Sequence, residues 1–272
     1  MQLHRAGRPR TAMQLAAIVA VAVALAACSS SKSISTTGTT GSSGLSGSIT
    51  VSAAASLTGT FTDLGKSFEH AHAGTTIHFN FGSSATLVTQ IQQGAAADVF
   101  ASASSKTMDE LVSSGNVQGQ PTVFAKNKLE IVVKPGNPLG ITSLTDLTKA
   151  KTVALCASDA PCGAAADQAL KAANVTLPPS RVTRGADVKA TLAEVTTGDA
   201  DAAVVYVTDA KTVTSSQGTA VPVPAGQNVT ATYEIAQVEG SKNGDLDQAW
   251  IAYVTGPQGQ GVLAAAGFLP PS

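Results

Sequence analysis

From Ile49 onward the chain alternates short apolar runs with segments of helical periodicity, and this alternation constrains the fold more than any other feature. Ile49-Thr50-Val51, His78 to Phe81, Asp98 to Ala101, Leu129 to Val133, Thr152 to Leu155, Ala202 to Val205 and Tyr233 to Val238 read as strands. Between them, Leu57, Phe61, Leu64 and Phe68 recur on one helical face. Leu87, Val88 and Ile91, then Met108, Leu111 and Val112, then Val188, Leu192 and Val195, and finally Leu246, Trp250 and Tyr253 mark further helices, and Gly163 to Ala173 is alanine-rich and helical. Such alternation predicts an α/β architecture with mostly parallel sheets. Ala202-Ala203-Val204-Val205 carries no polar side chain, the pattern of a strand covered on both faces.

The alternation is preceded by a different kind of chain. His4, Arg5, Arg8 and Arg10 give a basic start, Ala16 to Ala27 is apolar and uncharged, and Leu25-Ala26-Ala27-Cys28 puts a cysteine straight after small residues. Residues 1–27 read as a secretory signal, too short and wrongly flanked for a lasting membrane span. The ending resembles a bacterial lipobox, which implies cleavage before Cys28 and lipid on its thiol; the alternative is an ordinary signal peptide cut nearby. Residues 28–47 are almost wholly Ser, Thr and Gly, cannot bury enough apolar surface to offset ordering entropy, and read as a flexible tether.

Net charge is −1 over 272 residues, so the chain has no electrostatic footprint for nucleic acid, and with 13% charged residues a ligand site built on many charges is not expected. Of three cysteines, lipidation of Cys28 leaves Cys156 and Cys162 as a pair. In an exported chain a disulfide is the leading reading, worth about 2 kcal/mol for so short a loop. The rival, a metal site, has neither a common zinc spacing nor a nearby histidine.

Two turns carry small hydroxyl residues between a strand and a helix: Ala53-Ala54-Ala55-Ser56-Leu57 and Gly82-Ser83-Ser84-Ala85-Thr86-Leu87. A helix N-terminus offers unsatisfied N–H donors and partial positive charge, a ready anion site. Each serine has a plainer role as an N-cap, its Oγ accepting from the N2 or N3 amide. Open α/β sheets bind ligands beyond the carboxyl ends of their strands, where Ser56, Ser84, Cys162 and Tyr206 fall, while Val188 starts a helix after a loop. Tyr206 alone reads as a strand-end tyrosine with its hydroxyl in water. Asp187 is a good N-cap, but its charge suits an anion site only if the carboxylate turns toward its own helix.

Other chemistry fits poorly. Gly59 to Ser67 resembles a phosphate-binding loop, but it has one residue too many between its glycines and lies within the first periodic helix. No G-x-S-x-G occurs, the S-x-x-K at Ser29 and Lys32 lies in the tether, and His70, His72 and His78 read as solvated, so no catalytic residue is nominated.

ITVSAAASL (49–57), FNFGSSATLVTQIQQGAAADVFASAS (79–104), GADVKATLAEVTTGDADAAVVYVTDA (185–210) and GPQGQGVLAAAGF (256–268) closely resemble the molybdate-binding proteins of ABC importers. The resemblance implies a periplasmic-binding-protein-like (type II) fold of two α/β lobes closing by a hinge on a tetrahedral oxyanion. On this reading lobe I would comprise 48–127 plus 230–272 and lobe II 128–229, with crossings near Lys126 and Ala225. The resemblance implies molybdate or tungstate as ligand, held by hydroxyl and amide of Ser56 and Ser84, the backbone N–H groups of Cys162 and Val188, and the Tyr206 hydroxyl, with no cofactor and no metal cation expected. At Cys162 the chain departs from the Pro-Ala-Gly of familiar members, a change tolerable where an amide does the binding, and a Cys156–Cys162 bridge would stiffen that loop. The implied partners are an ABC permease and its ATPase, and the chain is expected to be a monomer outside the cell, touching the membrane only through its lipid. Two other readings stay open: a receptor for sulfate or a small carboxylate, the latter clamped by Arg181 and Arg184, and a secreted serine hydrolase using Ser56 or Ser84.

Overall fold

The computed structural model describes residues 44–272, so the expectations for the signal segment, for Cys28 and for most of the tether lie outside the described residues. The chain runs β1 (Gly47–Ala54), α1 (Thr58–Ala71), β2 (Thr75–Gly82), α2 (Ser84–Gln92), β3 (Val99–Ser102), α3 (Ser105–Ser113) and β4 (Val117–Val133). It continues through β5 (Val153–Cys156), α4 (Pro161–Ala172), β6 (Val182–Gly185), α5 (Val188–Thr196), β7 (Ala202–Tyr206), α6 (Val207–Ala210) and β8 (Thr219–Pro222), and ends in β9 (Thr230–Val238), α7 (Gly244–Thr255) and α8 (Pro257–Ala266). Strand order is β2-β1-β3-β9-β4-β7-β5-β6, with β8 also on β4. Among the described residues no helix is long and apolar enough to cross a membrane.

The sheet is mixed, not mostly parallel. β1 pairs in parallel with β2 and β3, and β5 with β6 and β7. β4 carries the chain from one half of the sheet to the other and β9 brings it back, so their ladders, with each other and with β3, β7 and β8, are antiparallel. β4 is also far longer than its apolar end suggests. Its polar first half pairs with β9, and Pro121, which has no N–H to give a ladder, sits where the register shifts between Gln118 and Thr122. β4 changes partner at Leu129, whose N–H and carbonyl are both bonded by the Asn228 side chain at 2.9 and 2.8 Å. The two crossings of the chain are thereby stitched at one residue.

Packing follows the periodicity read from the sequence. The α1 face of Phe61, Leu64 and Phe68 is buried, and the Phe61 and Phe68 rings each meet Trp250 of α7 edge-on at 5.6 Å. All five residues of β7 are buried, consistent with their apolar run. Leu87, Val88 and Ile91 of α2 and Met108 and Leu111 of α3 close a second cluster over Phe100. The effect of this packing is to fix the carboxyl ends of β1, β2, β5, β6 and β7 around one point.

Candidate anion site

At that point lies a small, partly open pocket whose lining includes Ser56, Ser84, Cys162, Asp187, Val188 and Tyr206. All five residues nominated as ligand donors therefore meet in one small enclosure, although they come from five different strand ends. Val188 is preceded by a strand after all. β6 was missed because Val182-Thr183-Arg184-Gly185 is an edge strand with an exposed polar middle, which leaves no apolar pattern to read.

Neither serine is a cap. Ser56 lies in the 3-10 turn Ala55–Leu57, and its Oγ is 2.8 Å from the Tyr233 hydroxyl. Ser84 is the first residue of α2, where Ser83 holds the N-cap position without a side-chain bond; Ser84 Oγ accepts from the Ala103 N–H at 3.1 Å. Both oxygens thus receive or share a bond on the protein side, which leaves a hydroxyl hydrogen able to turn to the cavity.

The helix starts supply amides. Pro161 is the first residue of α4 and has no N–H, and Ala160 before it cannot cap, so Cys162 presents the first donor of that helix. Gly163 lets this turn close on the strand end: a Cβ there would stand 2.0 Å from the Ala157 carbonyl oxygen. Cys156 and Cys162 are joined by a disulfide, Sγ–Sγ 2.02 Å. At α5, Asp187 Oδ1 accepts from the amides of Lys189 (2.8 Å) and Ala190 (3.0 Å), so the carboxylate is committed to its own helix and Val188 keeps the remaining first-turn N–H. The conflict between Asp187 and an anion is relieved by that geometry.

Tyr206 is only 1% exposed, and its hydroxyl is buried without a hydrogen-bond partner among the described residues. Its reading as a solvated strand-end tyrosine is corrected: α6 starts at once and folds the ring inward, 6.1 Å from that of Tyr233. Burial raises both phenol pKa values well above normal, so both remain neutral donors.

No lysine, arginine or histidine lines the cavity among the described residues. Lys189 pairs with the fully buried Asp209 at 2.8 Å. Arg184 pairs with Asp167 at 2.9 Å and bonds the Cys156 carbonyl, and Arg181 bonds the Thr148 carbonyl, so the arginine clamp of the carboxylate reading does not form. Among the described residues no histidine lines the pocket and the Asp187 carboxylate there is bonded to its own helix, which removes the basis for the hydrolase reading.

Sequence reasoning missed the group behind Ser56. Asn127 Oδ1 accepts from the Lys128 N–H, which points its amide at Thr208 Oγ1 (2.9 Å) and the Tyr233 hydroxyl (3.4 Å). Tyr233 accepts there and so is set to donate to Ser56. Tyr233 reads as one more strand aromatic, and only the pairing of β9 with β3 and β4 brings it to Ser56.

Neutral donors thus converge at the strand ends around this pocket, and two strands of the sheet cross between the halves of the chain. Residues 49–269 match the model of the bacterial extracellular solute-binding proteins, and the chain belongs to that family. It is 39% identical over 225 residues to the molybdate-binding protein ModA of Mycobacterium tuberculosis, covering 82% of this chain and 85% of that one. Among solved structures, the periplasmic molybdate-binding protein of Azotobacter vinelandii superposes with a TM-score of 0.72 at 22% identity, covering 82% of this chain and all (100%) of that one. The sulfate-binding protein SubI of Mycobacterium tuberculosis superposes at 0.73 with 20% identity, covering 82% and 86%. The fold is that of the periplasmic solute-binding proteins, and it is shared by receptors named for different anions.

Proposed function

We propose that this chain is the extracytoplasmic binding component of an ABC importer that captures molybdate, and with it tungstate, and delivers the ion to a permease. The observation that carries the reading is the Tyr206 hydroxyl, buried without a partner among the described residues in a cavity also lined by two serines and two helix starts. Buried polar groups are nearly always bonded, so an unmet donor in an enclosure asks for an acceptor. A tetrahedral dianion offers acceptors only, and charge-assisted hydrogen bonds of roughly 1.5–3 kcal/mol each let several neutral donors hold it without a salt bridge. A protonated phosphate must also donate and finds poor provision. The identity to a named molybdate-binding protein supports the choice of ion.

Domain closure belongs to the same reading. Lobes of 48–127 plus 230–272 and of 128–229 would hinge where β4 and the segment before β9 cross, with Ser56 and Ser84 on one lobe and Cys162, Val188 and Tyr206 on the other. A lipid anchor on Cys28 would hold the monomer at the outer face of the membrane.

The likeness to a sulfate-binding protein keeps one rival specific, because sulfate has the same charge and shape but is smaller. Calorimetry with molybdate, tungstate and sulfate separates the two: molybdate and tungstate should bind comparably and far tighter than sulfate, and equal affinity for sulfate would overturn the assignment. Ser56→Ala with Ser84→Ala should weaken molybdate on the order of a hundredfold, from two lost charge-assisted bonds at the lower end of their range.

A further inference from the structure

The disulfide lies between the two helix starts that donate from the second half of the chain. Cys156 is the last residue of β5 and fully buried, and Cys162 is the second residue of α4, so the bridge pins the α4 start to the strand end. Thr191 of α5, fully buried, donates its hydroxyl to the Asp187 carbonyl at 2.8 Å and lies 3.3 Å from Cys156 Sγ. The α5 start is thus held against the same sulfur. The backbone repeats the link: the Ala157 N–H donates to the Gly185 carbonyl at 2.8 Å, and a Cβ on Gly185 would stand 2.5 Å from Thr191 Oγ1. A bridge spanning only six positions removes little chain entropy from the unfolded state, so its length makes it a weak global staple. Its place is what distinguishes it.

We infer that the Cys156–Cys162 disulfide and Thr191 form one positioning unit that fixes the Cys162 and Val188 amides relative to each other and thereby sets the size of anion the site prefers. The inference rests on the proposed anion site. Donors held at a fixed spacing reach a larger tetrahedral ion together and a smaller one incompletely. Freed donors can contract on the smaller ion, so loosening the unit lowers affinity for the large ion and narrows the discrimination. Neither Cys156 Sγ nor Thr191 Oγ1 need touch the ligand for this to hold.

The test is calorimetry of molybdate and sulfate on the oxidised full-length mature protein, on Cys156→Ala with Cys162→Ala, and on Thr191→Val, with circular dichroism to verify folding. The double variant keeps the Cys162 amide. The expected result is about a tenfold loss of molybdate affinity with a smaller change for sulfate, so the affinity ratio falls, and a fall of the same kind but lesser size in Thr191→Val. If the double variant does not fold, the wild type under reducing agent replaces it and must show the same fall. A folded bridgeless protein with unchanged affinity and unchanged ratio overturns the positioning role. A loss equal for both ions also overturns it, since it reports damage to the site and not to its spacing. An oxidised wild type that binds no molybdate overturns the proposed function itself, and this inference with it.

Discussion

The hydroxyl of Ser56 lies 2.8 Å from that of Tyr233, a residue 177 positions further along the chain. The Asn127 amide donates to the Tyr233 hydroxyl from the other side at 3.4 Å, an arrangement that lets the phenol donate to Ser56 and leave the serine hydrogen for the cavity. A tyrosine outside the cavity lining is therefore placed to orient a lining hydroxyl.

Tyr233→Phe should consequently weaken molybdate binding although Tyr233 does not line the cavity. Loss of one orienting hydrogen bond is worth about 1 kcal/mol, or roughly fivefold in affinity. Calorimetry on the folded variant checks this, and an unchanged affinity would remove Tyr233 from the orientation of Ser56.

Tyr206→Phe should split affinity from stability. Its hydroxyl has no partner among the described residues, so the ligand-free protein loses nothing by its removal and can gain from losing an unmet polar group, on the order of 1 kcal/mol. Molybdate affinity should fall by about tenfold or more. Melting without ligand and calorimetry with it give the two readings, and a variant that melts lower but binds normally would contradict the assignment.

Molybdate affinity should be flat from about pH 6 to pH 9, because no donor in the cavity or directly behind it titrates there: the serines and amides do not ionise, and burial holds the phenols of Tyr206 and, behind Ser56, Tyr233 above their usual value near 10. A step in affinity within that window would reveal a charged group in the site.

Stability, by contrast, should depend on pH through Asp247. Its carboxyl is fully buried in α7, and desolvation, with the Asp98 carboxylate beside it, pushes its pKa up to about 6. An unfolded aspartate titrates near 4, so between about pH 4 and pH 6 the folded state holds the extra proton and stability falls as pH rises. Asp247→Asn removes the cost of burying the charge. It should raise the melting temperature at pH 7–8 and leave it near wild type at pH 4; an equal change at both would show that packing, not charge, decides at this position.

Most helices and strands, the disulfide candidates and the two hydroxyl turns were legible in the sequence, because each has a short-range signature, whereas Cys162, Val188 and Tyr206 were nominated only through the resemblance. Phe61, Leu64 and Phe68 repeat at helical spacing, two cysteines remain in an exported chain once Cys28 is set aside, and a small hydroxyl follows a strand at Ser56 and Ser84. Within single turns, however, the local reading misassigned roles: Ser56 and Ser84 have the residue type of N-caps, and only the neighbouring Tyr233 hydroxyl and Ala103 amide claim their oxygens instead.

By itself, then, the sequence determined the alternation of strands and helices and the residue types able to donate to an anion, since periodicity and helix-start chemistry operate over a few residues. The tertiary structure alone decided that β4 and β9 cross antiparallel between the halves, that β6 forms from a polar edge, and that Asp187 faces its own helix. It also decided that Tyr206 is buried beside Tyr233, its hydroxyl without a partner among the described residues. These depend on pairings between segments far apart in the chain, and no local pattern of side chains specifies which strand end will face which.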